Sequence, residues 1–432
     1  LTRIKSVLLK KTQDNSEHTK SYYAASSNFE TSYPILKGDH SVDVVIVGGG
    51  FSGVSTAVEL CEKGCSVALV EANRISWGAS GRNGGQLIGG LGHDPAAFRR
   101  TIGDAGVNEI YAMGAECVDI VSERIRKYNI ECDLKWGYVE VALRPRHLRD
   151  YEEWAKDDKK LVLLDKNALQ AYVNSDIYLG GYYKPDWGHL HPLNLCIGEA
   201  KVAEEMGAKI FEQSPVERIT YGNSPVIHTS SGSITAGHAI ICGNAYLGSL
   251  VKHLDDRILP ATSCIIATEQ LTDEQIAASL PGDVAVCDTR TALDYYRLSA
   301  DKRLLFGGLS NYSGLEPRNV EDIMRQKMNH VFPALEQVKL DYIWSGQMGI
   351  SFRRMPQMGR LKGNVFYVGG YSGHGVAPTH VLGRTLAEAV TGNTKRFDYL
   401  ASINHWKWPG GKLLRRPGMA LGMMFYKLAD MV

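Results

Sequence analysis

The stretch Asp43-Val44-Val45-Ile46-Val47-Gly48-Gly49-Gly50-Phe51-Ser52-Gly53 decides the fold of this chain. An apolar run of strand length stops at Gly48. Helical spacing then begins, with Val54, Ala57, Val58 and Cys61 on one face. Glycines stand at positions 48, 50 and 53, the G-x-G-x-x-G spacing. Gly48 permits a tight turn, Gly50 a close backbone approach, and Gly53 the packing of helix against strand. A second apolar run, Cys65 to Val70, ends in Glu71, about 20 residues after the glycines, where a carboxylate can bond a ribose hydroxyl. Strand, glycines, helix, strand and acid in this order describe a dinucleotide site, with the pyrophosphate at the helix N-terminus.

The totals are compatible with that reading. A chain of 432 residues allows two or three domains. Hydrophobic residues make up 44% and charged residues 22%, and the net charge of +1 gives no reason to expect nucleic acid. The eight cysteines are scattered without a C-x-x-C pair, which suits reduced thiols in a cytoplasmic protein. No apolar run approaches the roughly 20 residues of a transmembrane helix. The basic stretch Leu1 to Thr12 reads as a peripheral or frayed extension. His189 and His191 form an H-x-H with no third ligand nearby, so no metal is expected.

Further along, strand and helix patterns alternate. A long helix is expected from Asp104 to Tyr128, and strands at Gly137 to Leu143 and Ile177 to Tyr183. Helix Pro192 to Met206 leads into strands at Lys209 to Phe211, Val216 to Thr220 and Ala236 to Cys242. Strands recur at Ser263 to Thr268, Leu293 to Leu298, Arg303 to Gly308 and Val365 to Val368, and helix Val381 to Thr391 follows the last of them. Parallel-sheet signals at the start, middle and end imply an α/β class, α+β overall. The expectation is a Rossmann-like nucleotide-binding domain with a second, mainly antiparallel β-sheet domain inserted in it. The segments are 1–40 as an extension, 41–130, 191–255 and 344–432 in the nucleotide domain, and 131–190 and 256–343 in the second domain.

One glycine fingerprint serves FAD and NAD alike, so other segments must choose. Gly78-Ala79-Ser80-Gly81-Arg82-Asn83-Gly84-Gly85-Gln86-Leu87 is a polar, glycine-dense loop just after the ribose acid, suited to a cofactor that runs on into a second ring system. Together with Gly370-Tyr371-Ser372-Gly373-His374-Gly375-Val376, it resembles the FAD-dependent D-amino-acid oxidase superfamily. Within that superfamily the chain is similar to the gamma-glutamylputrescine oxidases. That likeness extends to Ser21-Tyr22-Tyr23-Ala24-Ala25-Ser26, His191-Pro192-Leu193-Asn194-Leu195, Gly243-Asn244-Ala245-Tyr246-Leu247-Gly248 and Asp294-Tyr295-Tyr296-Arg297-Leu298.

The resemblance implies a set of FAD-binding positions. They are Gly48, Gly50, Phe51, Ser52, Gly53, Glu71 and Ala72 on the AMP side; Ala79, Ser80, Arg82, Asn83, Gly84, Gly85, Gln86 and Leu87 in the second loop; Val216 and Gly243; and Gly370, Ser372, Gly373, His374, Gly375 and Val376 before the last helix. On the substrate side the candidates are Gln86, Tyr295, Tyr296, Arg297, Trp344 and His374. Strand alternation puts Tyr295 and Arg297 on one face and Tyr296 on the other, unless a bulge intervenes. Arg297 is the candidate holder of a substrate carboxylate, by a bidentate bond, or else an inter-domain ion-pair partner. His374 either lines the pocket or bonds the backbone.

The resemblance also implies the chemistry: hydride transfer from an amine-bearing carbon to flavin, then hydrolysis of the imine. Gamma-glutamylputrescine or a similar omega-amine is the expected substrate, with a secondary amine such as sarcosine or pipecolate as the rival. Relatives that attach FAD covalently use a cysteine before the final strand, and Gly346 to Gly359 contains none, so the FAD is expected to be non-covalent. O2 is the expected electron acceptor, giving H2O2. Yet where relatives carry a lysine over the flavin, Arg303-Leu304-Leu305-Phe306-Gly307 offers leucine, which leaves the acceptor open. A nicotinamide-dependent dehydrogenase and a non-catalytic flavin electron-transfer subunit remain as readings of other classes.

Overall fold

The computed structural model describes residues 17–311 and 319–409, with 411 and 418; the basic stretch 1–12 lies outside them. Two sheets divide the chain. The first runs, in spatial order, Gln357–Arg360, Val365–Gly369, Gly232–Ile241, Gly38–Val47, Val67–Val70 and Lys209–Phe211. Its inner contacts are parallel, and Gln357–Arg360 closes one edge antiparallel. A hairpin, Arg218–Thr220 and Val226–His228, is attached to Gly232–Ile241.

Val44–Val47 are all buried because both faces of this sheet are covered. Val44 and Ile46 enter the core beneath the helices, while Val45 and Val47 enter the core on the opposite face. Helices Phe51–Glu62, Pro192–Glu205 and Pro378–Val390 pack on the first face, beside the long helix Arg99–Lys127. Gly103, with φ +67° and ψ 177°, breaks that long helix near its start, so its regular part begins at Asp104. The helices enclose an ionic knot in which Arg124 meets Glu59 at 2.6 Å and Glu199 at 2.9 Å. Burial pushes the Glu199 carboxyl up, but His380 and Arg124 outweigh it and hold the pKa below its ordinary value.

The second sheet runs Leu340–Ser351, Ile258–Gln270, Arg303–Asn311, Tyr295–Leu298, Ala285–Asp288, Lys135–Ala142, Gly180–His189 and Gln86–Leu87, with Val162–Asp165 also on Gly180–His189. Every contact is antiparallel except Lys135–Ala142 with Ala285–Asp288. One face joins the main core through Ile265, Ala267, Leu305 and Trp344. The other packs Ile266, Leu304 and Phe306 against Met324 and Met328 of helix Val320–Val331.

Three expectations need correction. The segment boundary at 344 falls inside strand Leu340–Ser351, which pairs along its length with the second sheet. Gln86–Leu87, read as part of the nucleotide domain, pairs with Gly188 and His189 of the second sheet. The strand expected at 177–183 is Gly180–His189, shifted because Asp176 and Ile177 form a turn and pairing starts only at Gly180. Among the described residues no helix is long and apolar enough to cross a membrane.

Candidate active site

The first strand delivers the chain to Gly48, whose φ of +112° disfavours any residue with a side chain. A Cβ on Gly53 would fall 1.9 Å from the Gly48 carbonyl oxygen, and one on Gly50 would fall 2.8 Å from Ser80 Oγ. The turn thus needs its glycines for its own closure as well as for any ligand. Helix Phe51–Glu62 starts without a side-chain cap from Gly50, and its Phe51 N–H donates to Ser80 Oγ at 2.9 Å. Its positive end therefore faces the 79–85 loop. Phe51 lies in the core and Ser52 faces inward, so only their backbone can serve a ligand at this end.

Glu71 accepts from the Gly49 N–H at 2.6 Å and the Asn73 N–H at 2.9 Å. Burial raises its pKa against those two donors. A carboxylate has about four acceptor sites, so capacity remains for a ribose diol. Ala72 beside it is exposed.

In the second loop, Asn83 is used internally. Its Nδ2 donates to the carbonyls of Ala79 and Ser80 at 3.0 and 2.8 Å, and its Oδ1 accepts from the Gly85 N–H at 2.8 Å. Asn83, expected among the FAD-binding positions, thus uses its side chain to shape the loop. Arg82 differs. It is half-buried, its guanidinium lies 4.4 Å over the Trp77 ring, and its Nε donates to the Trp77 carbonyl at 2.8 Å. Burial lowers its pKa, and no carboxylate pairs with it among the described residues. Its Nη1 reaches the Ser345 carbonyl at 3.4 Å, and a half-buried cation beside a helix N-terminus is suited to an anion.

The loop at 370–376 closes the cradle from the far side. Gly370, Ser372 and Gly373 all have positive φ, at +75°, +57° and +92°. Tyr371 Oη lies 2.7 Å from Ser52 Oγ, which ties this loop to the first helix. Asn244 Oδ1 accepts from the Gly370 N–H at 2.9 Å, so the turn after Gly243 holds it as well. Ser372 Oγ accepts from the Ser351 N–H at 3.1 Å. His374 Nε2 lies 3.0 Å from both the Gly89 and the Gly90 carbonyls, which makes it the donor, and burial lowers its pKa. Its backbone-bonding reading is therefore the one the geometry satisfies. Gly375 and Val376 are half-buried and lead into helix Pro378–Val390. Val216 lines a cavity of about 450 Å³ with Arg218, Tyr221, Leu247 and Leu250, past Gly243.

The substrate-side candidates separate. No register shift interrupts Tyr295–Leu298, so alternation is strict. Tyr296 is withdrawn from the pocket: its ring stacks on Phe306 at 5.5 Å and its hydroxyl donates to Tyr178 Oη at 3.1 Å, in the core on the opposite face. Arg297 is the larger correction. It is 3% exposed, and its guanidinium donates to the carbonyls of Gly84 (2.8 Å), Leu190 (2.9 Å) and Leu298 (3.0 Å) and to Tyr23 Oη (3.0 Å). A planar fork filled by four oxygens has no bidentate edge left for a substrate carboxylate. It instead pins the Gly84–Gly85 loop to the second sheet.

Trp344 is buried and donates from Nε1 to the Arg82 carbonyl at 3.0 Å. Tyr295 is half-buried and packs where a Cβ on Gly84 would go, while a Cβ on Gly85 would fall 2.2 Å from the Leu190 carbonyl. Gln86 donates to the Val286 carbonyl at 2.8 Å and accepts from Cys287 Sγ at 2.8 Å; Leu87 lies in the core. His189 and His191 have separate partners: His189 Nε2 lies 3.3 Å from the Asp283 carbonyl, and His191 Nδ1 caps a helix by accepting from the Asn194 N–H.

Sequence reasoning missed Tyr23, Asn244 and Tyr371 as fasteners of the three loops. It also missed the group Tyr138, Glu140, Tyr182 and Cys287 beside Gln86. The Y-x-E spacing at 138–140 signals one shared strand face, but nothing in the sequence marks what that face meets.

Three tight loops, an uncapped helix end, the Glu71 carboxylate and an arginine without a carboxylate partner among the described residues fit an anionic dinucleotide. The model of the FAD dependent oxidoreductase family matches residues 43–389, and the chain belongs to that family. It is an FAD-dependent oxidoreductase. Over 420 residues it is 41% identical to gamma-glutamylputrescine oxidoreductase of Escherichia coli K12, covering 96% of this chain and 99% of that one. It is 39% identical to a Haemophilus influenzae protein described as probable oxidoreductase OrdL, covering 96% and 98%. The glycine oxidase structure from Bacillus cereus shares the fold at a TM-score of 0.70 and 21% identity, covering 84% of this chain and 99% of that one.

Proposed function

We propose that this chain oxidises the terminal amine of gamma-glutamylputrescine or a closely similar omega-amine, with FAD held non-covalently and O2 as electron acceptor. The observation that carries the reading is the 41% identity across 99% of a gamma-glutamylputrescine oxidoreductase. FAD, when bound, supplies the acceptor for the hydride lost from the amine-bearing carbon. The chain itself binds, orients and excludes water. The N-terminal end of helix Phe51–Glu62 and Arg82 would hold the pyrophosphate, Glu71 the adenosine ribose, and the loop 370–376 the far end of the cofactor. Arg297, sealed by four oxygens, offers no anchor beside the reacting amine for an amino-acid carboxylate. That favours an omega-amine over sarcosine or pipecolate. The test is peroxide release and kcat/KM across gamma-glutamylputrescine, putrescine, sarcosine and pipecolate. Gamma-glutamylputrescine should lead. A lead for sarcosine or pipecolate refutes the substrate, and turnover without peroxide refutes the acceptor.

A further inference from the structure

One face of the second sheet carries a row of side chains across four strands. Tyr182, Glu140, Cys287 and Tyr295 stand in register. Directly opposed residues share a face. This is the face that meets the glycine loop, because Cys287 bonds Gln86 and Tyr295 abuts Gly84.

Within the row, Glu140 Oε2 accepts from Tyr138 Oη at 3.0 Å and from Tyr182 Oη at 3.1 Å. The Tyr151 ring meets the Tyr182 ring edge to face at 4.8 Å, and the Tyr138 ring lies 5.3 Å from Trp187. These three tyrosines are buried, whereas Glu140 stays half-buried. The Tyr151 hydroxyl is buried beside Glu140 and is a third donor toward its carboxylate. Among the described residues no basic nitrogen forms an ion pair with Glu140 within 4.0 Å, and Lys184 nearby on the Tyr182 strand is committed to Asp158 and Asp186. Burial raises the Glu140 pKa against its tyrosine donors.

A carboxylate in such surroundings is costly until a cation joins it. Tyrosine faces add attraction for an ammonium. Two strand spacings, roughly 10 Å, separate Glu140 from Tyr295 beside the cofactor loop. The site therefore suits a charge remote from the reaction.

We propose that Glu140, framed by Tyr138, Tyr151 and Tyr182, receives a non-reacting ammonium group of a long amine substrate. The inference rests on the amine-oxidation reading above and goes beyond it by naming what selects the substrate's far end. In gamma-glutamylputrescine that group is the alpha-ammonium of the glutamyl part.

The test compares gamma-glutamylputrescine with N-glutarylputrescine, which differs only in lacking the alpha-ammonium. Wild type should prefer the former in kcat/KM by roughly ten- to a hundred-fold, the range of one charge-assisted contact. Glu140→Gln keeps acceptors for the tyrosines and removes the charge, so the preference should collapse through loss on the amino-bearing substrate alone. Calorimetry with N5-butylglutamine, which has the ammonium but no reacting amine, should show binding weakened by a similar factor. Flavin content and melting temperature report whether the variant is intact. Should it fail to fold, Tyr182→Leu removes one aromatic face, keeps the charge and should weaken N5-butylglutamine binding by a smaller factor. Equal losses on both substrates with unchanged N5-butylglutamine binding overturn the inference while leaving amine oxidation standing. A wild-type lead for sarcosine overturns both, since a short amine cannot reach Glu140.

Discussion

The turn at Gly48–Gly53 and the strand at Tyr295–Leu298 both face the cradle, yet they are built in opposite ways. The turn is local. Its glycines are demanded by contacts within a few residues and with the neighbouring Cys242 and Ser80, and what it offers a ligand is backbone. The strand's offering is side chain, and its neighbours come from across the chain: Arg297 bonds Tyr23, Gly84 and Leu190. A backbone cradle can be recognised from spacing alone. A side-chain surface takes its meaning from whatever packs on it.

The largest effect that would sharpen this contrast is at Gly50. Gly50→Val should abolish flavin retention, because even its Cβ would meet Ser80 Oγ at 2.8 Å. The flavin-to-protein absorbance ratio measures it, and a normal ratio would break the claim that the turn acts through its backbone.

Arg297→Lys comes next. If the residue pins the loop, the lysine cannot reach all four oxygens, and buried carbonyls left unpaired should cost on the order of 2–4 kcal/mol of stability. Denaturant unfolding reads this. Gamma-glutamylputrescine and putrescine should then lose kcat/KM by a common factor; a loss confined to carboxylate-bearing amines would restore Arg297 to the substrate and undo the comparison.

Arg82→Met tests the side-chain share of the cradle. Removing this cation should weaken FAD about ten- to a hundred-fold, as measured by titrating apoprotein with FAD, with little change in the fold. Unchanged affinity would make the cradle purely backbone.

The smallest effect concerns His374. Burial lowers its pKa, so the unfolded chain binds its proton first and stability falls as pH drops below the ordinary 6.5. His374→Gln keeps a donor for the Gly89 and Gly90 carbonyls and cannot titrate. The variant's stability should therefore decline less steeply than that of wild type below pH 6.5, by at most about 1.4 kcal/mol per pH unit. Parallel pH curves would mean that His374 does not change its protonation between the folded and unfolded states.

The parallel core, its glycine turn and the helix from Asp104 were legible because each is a short-range pattern. A strand buried on both faces must be apolar throughout, and a tight turn into a helix must be glycine. Strand alternation likewise separated Tyr296 from Tyr295 and Arg297. Tertiary structure alone decided that Leu340–Ser351 and Gln86–Leu87 belong to the second sheet, since strand partnership depends on edges far away in sequence. It also decided that Asn83 and Arg297 spend their side chains on internal oxygens, and that Arg82, though it bonds the Trp77 and Ser345 carbonyls, meets no carboxylate among the described residues. Each of these polar side chains can bond a ligand or a carbonyl equally well, and only the position of the nearest buried oxygen chooses between them. Glu140 shows the same rule most plainly: its residue type is ordinary in sequence, and its surroundings are set by tyrosines at positions 138 and 182, with no ion-pair partner among the described residues.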